Sequence, residues 1–166
     1  MIDRLEDGAS FATLIDRHSG IIRKVATTYC RNAEDRADLA QEIAAQLWKS
    51  WPRFDGRRSF STWMYRVALN VALSHVRSVY RDQEHFVPLA EDHDNIPDAR
   101  TTDDTRQMLS ALEAFISRLD GLNRALLLLY IDERSHREIS EILGISESNV
   151  GTKIGRLKAR IRDELN

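Results

Sequence analysis

The chain has 166 residues, 42% of them hydrophobic and 30% charged, with a formal net charge of −2. That length suffices for one ordinary domain or two small ones, and the charge excludes a uniformly basic nucleic-acid binder. The single cysteine, Cys30, excludes an intrachain disulfide and fits a reducing compartment.

The opening residues MIDRLEDGAS are acidic and polar, without an apolar h-region, and do not read as a secretory signal. The longest apolar run, Ala125 to Ile131, is too short to cross a bilayer. A cytoplasmic protein without stable membrane insertion is expected.

Charge is segregated along the chain. Residues 57–81 hold Arg57, Arg58, Arg66, Arg77 and Arg81 and no acid. Residues 149–162 hold Lys153, Arg156, Lys158, Arg160 and Arg162, again with no acid. Between them, residues 82–104 carry Asp82, Glu84, Glu91, Asp92, Asp94, Asp98, Asp103 and Asp104 against one arginine, Arg100. Two basic stretches on a near-neutral chain suit local phosphate contacts.

Glycine and proline are scarce and apolar residues recur at helical spacing, so the expected class is all-α. Residues 10–31 read as one helix, with Phe11, Leu14, Ile15, Ile21, Ile22 and Val25 inside. A second follows at 34–51, then a loop punctuated by Pro52 and Gly56, then a third helix at 60–81. Residues 82–104 lose the pattern and contain Pro88 and Pro97, which reads as an acidic, flexible linker. Helical periodicity returns at 105–118, 122–131, 135–143 and 147–165. The expected organisation is two small helical domains, 1–81 and 105–166, joined by the linker.

The C-terminal stretch HREISEILGISESNVGTKIGRLKARIRDEL reads as a helix-turn-helix. Ile139, Ile142 and Leu143 form the apolar stripe of a short helix that Gly144 ends. Ile145 is the expected buried residue of the turn. Ser146 is the expected N-cap of the next helix, whose inner face is Val150, Ile154, Leu157 and Ile161. The small Ser140 permits close crossing. The outer face presents Ser148, Asn149, Thr152, Lys153 and Arg156, a set suited to base edges first and phosphates second. Gly151 and Gly155 interrupt this helix at about 1 kcal/mol each against alanine; the sequence does not say why.

In the N-terminal half, DLAQEIAAQLWKSW places Leu39, Ile43 and Leu47 toward a core and Asp38, Gln41, Glu42, Ala45 and Lys49 on another face. In RFDGRRSFSTWMYRVALNVALSHVRSVYR, the residues Arg66, Asn70, Ser74, Arg77 and Arg81 fall within about 80° of helical arc. Trp63, Met64, Val67, Ala68, Val71, Ala72 and Val76 fill much of the remaining circumference. A basic stripe with an embedded Asn suits nucleic acid. Phe54, Phe60, Trp63 and Tyr65 cluster near the helix start, with Phe60 and Trp63 read as core.

At these three stretches (DLAQEIAAQLW, SFSTWMYRVALNVAL and the terminal helix-turn-helix) the chain resembles the extracytoplasmic-function (ECF) group of bacterial RNA polymerase sigma factors, over roughly residues 8–165. The resemblance implies a factor that binds core RNA polymerase and directs promoter recognition, DNA melting and transcription initiation. It implies a core-polymerase contact through Asp38, Gln41, Glu42, Ala45 and Lys49. It implies minus-ten element binding through Phe54, Arg57, Arg58, Ser59, Arg66, Asn70, Ser74, Arg77 and Arg81, with a flipped base held by the 54–59 loop and Asn70. Minus-thirty-five binding falls to Ser148, Asn149, Thr152, Lys153 and Arg156. The linker would thread the polymerase between the two sites, and an anti-sigma factor would hold the free, monomeric protein inactive. The chain departs from many members at Ser148-Asn149, at Gly151-Thr152 and in the loop DGRRS, so promoter preference does not carry over.

A stand-alone helix-turn-helix regulator is the alternative; the N-terminal 80 residues lack a receiver-type α/β pattern or an evident ligand-pocket domain. An enzyme is not expected. His18, His75, His85, His93 and His136 are scattered, no Gly-rich phosphate loop is present, and neither a cofactor nor a metal is implied. His18 and His136 read as surface residues and Cys30 as core. An adaptor built on amphipathic helices would leave both basic stripes unexplained.

Overall fold

The computed structural model describes residues 3–83 and 102–166, and every regular element among them is helical. The chain divides into two compact units, Met1–His85 and Phe86–Asn166. Residues 84–101, most of the expected linker, lie outside the described residues.

The first unit holds α1 (Asp3–Arg17), α2 (Ser19–Tyr29), α3 (Ala33–Ser50), a 3-10 turn (Trp51–Arg53) and α4 (Phe60–Gln83). The single helix expected over 10–31 is two helices. The break falls at His18, whose backbone (φ −113°, ψ 19°) leaves the helical region. His18 is also not a simple surface residue: it is half-buried, its ring 5.3 Å from that of Phe60. A ring held in this way fixes the corner.

Asn32 caps α3 by accepting from the Asp35 N–H (2.7 Å), and Glu34 and Asp35 add negative charge in the first turn, where the helix dipole favours it. Helices α2, α3 and α4 pack on one another. Leu39, Ile43 and Leu47 are wholly buried, together with Val25, Met64, Tyr65, Ala68, Leu69 and Ala72. Each large aliphatic in such a core is worth about 2–5 kcal/mol against alanine. Tyr65 and Leu69, absent from the expected core face, extend it toward the basic stripe and leave Arg66 half-buried.

The second unit holds α5 (Asp103–Arg118), α6 (Gly121–Ile131), α7 (His136–Leu143) and α8 (Glu147–Leu165), with α5, α6 and α7 all packed on α8. The helices on either side of the expected linker are longer than the sequence indicates. Asp82 and Gln83 finish α4, and Asp103 and Asp104 form the first turn of α5 behind the N-cap Thr102. Acids there are favoured by the helix N-terminus, so not every residue of the acid run is linker. The core of this unit is Phe115, Leu119, Ala125, Leu126, Leu129, Ile139, Val150, Ile154 and Leu157.

Candidate nucleic-acid interface

The helix-turn-helix is α7, its turn and α8. Ser135 and Glu138 form a reciprocal capping box: the Glu138 N–H donates to the Ser135 hydroxyl (3.1 Å) and the Ser135 N–H to the Glu138 carboxylate (3.1 Å). Gly144 ends α7 at φ +69°, the left-handed conformation that costs a side chain energy. The Ser140 hydroxyl donates to the Ile145 carbonyl (2.7 Å), so this small residue closes the turn as well as permitting the crossing. Ile145 is half-buried rather than buried, since the turn stays near the surface. Ser146 caps α8 by accepting from the Asn149 N–H (3.1 Å), as its position predicts.

On α8, Ser148, Asn149, Thr152 and Arg156 are exposed and Lys153 is half-exposed, opposite the buried Val150, Ile154 and Leu157. The Thr152 hydroxyl donates to the Ser148 carbonyl (3.1 Å). Its lone pairs are left as acceptors, so Thr152 matches an exocyclic amine or, through its methyl, a thymine methyl. A Cβ at Gly155 would meet nothing within 4 Å, and one at Gly151 would touch only the His136 ring at 3.7 Å. Packing inside this chain therefore requires neither glycine.

In the first unit the stripe on α4 divides. Asn70, Ser74 and Arg77 are exposed, Arg66 is half-buried, and the side chain of Arg81 lies outside the described residues. The 54–59 loop is built locally. Gly56 turns at φ +75°, the Arg57 N–H donates to the Asp55 carboxylate (3.0 Å), and the Arg57 side chain pairs with the same carboxylate at 3.4 Å. Arg58 is exposed. Ser59 begins α4 as its cap: its hydroxyl accepts from the Thr62 N–H (3.3 Å) and donates to the Thr62 hydroxyl (2.9 Å).

Phe54 belongs to an aromatic cluster wider than the expected grouping of Phe54, Phe60 and Trp63, because Trp48, Trp51 and Phe11 join it. It stacks on Trp51 and lies 5.2 Å from Trp63 and 5.8 Å from Phe60, while Phe11 meets Trp48 and Trp51. Phe60 is buried as expected, and Trp63 is half-buried at the rim. The abundance of aromatics between 48 and 63 was the available signal; Phe11 comes from far away in sequence.

On α3, Asp38, Gln41, Glu42, Ala45 and Lys49 are all exposed, with Trp48 beside them 59% exposed. Glu42 and Gln46 of α3, with Ser50, face Asn70, Ser74 and His75 of α4 across a groove of about 580 Å³ floored by Val67 and Val71. Among the described residues, no three His, Cys, Asp or Glu side chains are placed to hold a metal ion, and no helix is long and apolar enough to cross a membrane.

A capped helix-turn-helix with a polar, basic outer face defines the class as a DNA-binding protein. Residues 14–81 match the model of sigma-70 region 2 and residues 109–161 that of sigma-70, region 4. The chain is 29% identical over 169 residues to the ECF RNA polymerase sigma factor SigW of Bacillus subtilis, covering 96% of this chain and 90% of that one. It is 25% identical over 178 residues to the ECF RNA polymerase sigma-E factor of Haemophilus influenzae, covering 99% and 93%. Two solved structures share the fold. One is CnrH in complex with the cytosolic domain of CnrY (TM-score 0.67, 23% identity, 95% and 88% covered). The other is the sigma factor RpoE with the anti-sigma factor NepR from Bartonella quintana (TM-score 0.73, 17% identity, 94% and 96% covered). The chain belongs to the sigma-70 family as an ECF-type sigma factor. It acts by binding core RNA polymerase and promoter DNA in transcription initiation, a non-enzymatic role.

Proposed function

We propose a division of labour among its surfaces. The exposed face of α3 (Asp38, Gln41, Glu42, Ala45, Lys49) docks on the core polymerase. The 54–59 loop and the α4 stripe hold the minus-ten element as a single strand. The outer face of α8 reads the minus-thirty-five element in the major groove. Ser59 serves the minus-ten site through the loop it caps, and Phe54 as a wall held by Trp51.

The observation that carries this reading is the exposure of Asn70, Ser74 and Arg77 along the α4 helix, which begins at the Phe54 aromatic wall. Unstacked bases need pockets and π-faces while cations track the phosphates. Unstacking costs a few kcal/mol per base, which capture beside Asn70 would partly offset.

The acidic stretch between the end of α4 at Gln83 and the Thr102 cap of α5 fits a tether between the two DNA sites. Elements about one and a half turns apart lie roughly 50–55 Å from each other. A free coil of about 18 residues would average only about 21–25 Å, and its full extension would be roughly 60–65 Å. The polymerase would hold it stretched, and its acids suit a basic channel. The free protein is read as a cytoplasmic monomer restrained by an anti-sigma partner; the RpoE relative, solved with the anti-sigma factor NepR, supports that part.

The test is permanganate footprinting of a promoter opened by core polymerase and this factor. Asn70→Ala should lower opening about tenfold, the worth of one good base contact, while core binding is kept. Arg77→Ala should reduce the salt slope of single-strand binding by about 0.7. Unchanged opening with Asn70→Ala would remove the minus-ten assignment.

A further inference from the structure

The imidazole of His75 stands between a buried thiol and an exposed carboxylate from two other parts of the fold. Its Nε2 lies 4.0 Å from the Cys30 Sγ at the C-terminal cap of α2, and its Nδ1 lies 3.8 Å from Glu42 Oε2 on α3. Cys30 is 6% exposed, the His75 side chain 25% and the Glu42 side chain 60%. The ring thus runs from the interior of the first unit to the surface that carries the candidate polymerase contact.

We propose that His75 is a positioning residue for that contact: anchored by Cys30, it holds the Glu42 carboxylate in the orientation the polymerase engages. This rests on the assignment of the α3 face made above.

Burial, and after it the nearby Asp35 carboxylate, push the Cys30 thiol above its ordinary pKa, so it remains an S–H donor at neutral pH. A thiol that donates to Nε2 makes that nitrogen the acceptor of the neutral ring. The ring's one N–H then sits on Nδ1, facing Glu42. A separation of 3.8 Å is longer than a hydrogen bond. The ring therefore acts on the carboxylate as an oriented N–H dipole, and as a full charge once protonated. Both states favour the Glu42 rotamer that leans on α4, and the second carboxylate oxygen stays available to a partner.

A half-ordered Glu42 loses less side-chain freedom on binding than a mobile one. That preorganisation corresponds to about three- to tenfold in affinity. The same groove carries Asn70 and Ser74. His75 therefore places the polymerase contact and the proposed base-holding residues on one shared framework.

The experiment measures the Kd of the full-length, fluorescently labelled protein for core RNA polymerase by anisotropy. The variants are Glu42→Gln, His75→Ala, His75→Asn and the double His75→Ala/Glu42→Gln, each checked for an unchanged thermal midpoint. His75→Ala should bind about three- to tenfold more weakly. His75→Asn should recover most of the loss, because the Asn amide can present its N–H near the place of Nδ1. The double variant should bind no more weakly than Glu42→Gln alone.

Additive losses, no rescue by Asn, or tighter binding by His75→Ala (a ring that sequesters Glu42) would each overturn the proposal. If Glu42→Gln weakens binding and His75→Ala does not, only the role of His75 falls. If Glu42→Gln leaves the affinity unchanged, the assignment of Glu42 to the polymerase face falls, and this proposal with it.

Discussion

The ring of Phe54 lies nearly parallel to that of Trp51, 5.4 Å away with 17° between their planes. The 3-10 turn Trp51–Arg53 makes this contact: the Phe54 N–H donates to the Trp51 carbonyl (3.0 Å), which sets both rings on one side of the loop. The stack joins the end of α3 to the start of α4 and builds the wall assigned to the minus-ten base. Phe54→Ala removes a half-buried ring and is expected to destabilise the first unit by about 1–3 kcal/mol. Trp48, Trp51 and Trp63 all lie in that unit, so tryptophan fluorescence during urea unfolding reads it directly. An unchanged midpoint would mean that the cluster does not support the loop.

The turn of the helix-turn-helix is a second place where geometry fixes the outcome. Gly144→Ala forces a side chain into the left-handed conformation, and Ser135→Ala removes the capping box of α7. Each is expected to cost the second unit about 1 kcal/mol. Circular dichroism should show the loss while the tryptophan signal of the first unit stays unchanged.

Gly151 and Gly155 behave differently, because neither has a packing reason within the chain. Alanine at either position is expected to stabilise α8 by up to about 1 kcal/mol. Gly155 shares with Ser148 and Thr152 the outer helical face proposed to meet the minus-thirty-five element, where bare backbone would let DNA approach closely. Gly155→Ala should therefore weaken minus-thirty-five duplex binding, whereas Gly151→Ala, beside His136, should not. Gel-shift titrations of both variants separate the two effects.

The Cys30 thiol, pushed up by burial, should resist alkylation at pH 8 far more in the native state than in urea. The sign of its linkage follows. A raised folded pKa adds stability that is full below the ordinary thiol value of about 8.5 and is lost as pH rises through the folded value. Cys30→Ser should remove that alkaline loss, as read from midpoints between pH 7 and 11.

Much of this architecture is legible in the sequence, for physical reasons. Leu39, Ile43 and Leu47 repeat every four residues, and the structure buries all three completely. Gly144 and Ser146 mark the turn because one supplies a positive φ and the other a capping hydroxyl. What stayed hidden depends on distant pairs. The break at His18 was signalled only by the turn-prone pair Ser19-Gly20 that follows it, and its place is fixed where the ring meets Phe60. Likewise Phe11 of α1 joins Trp48 and Trp51 only once α1 has packed on the end of α3, and Cys30 reaches His75 only once α2 and α4 have packed. The Thr102 cap of α5, with Asp103 and Asp104 in the first turn behind it, was masked by the acid run around it. The exposed Trp48 went unremarked beside the polar residues of α3, and no periodicity rule reports which aromatic stays outside.

The proposed docking of the exposed α3 face on core RNA polymerase underlies the whole division of surfaces. Gel filtration of purified bacterial core enzyme with this protein tests it most directly, beside a Gln41→Ala/Glu42→Arg variant of matched helical content. Co-elution of the wild type, lost in the variant, is the predicted result. Co-elution of both would contradict the placement of the contact on α3, and co-elution of neither would contradict the polymerase contact itself.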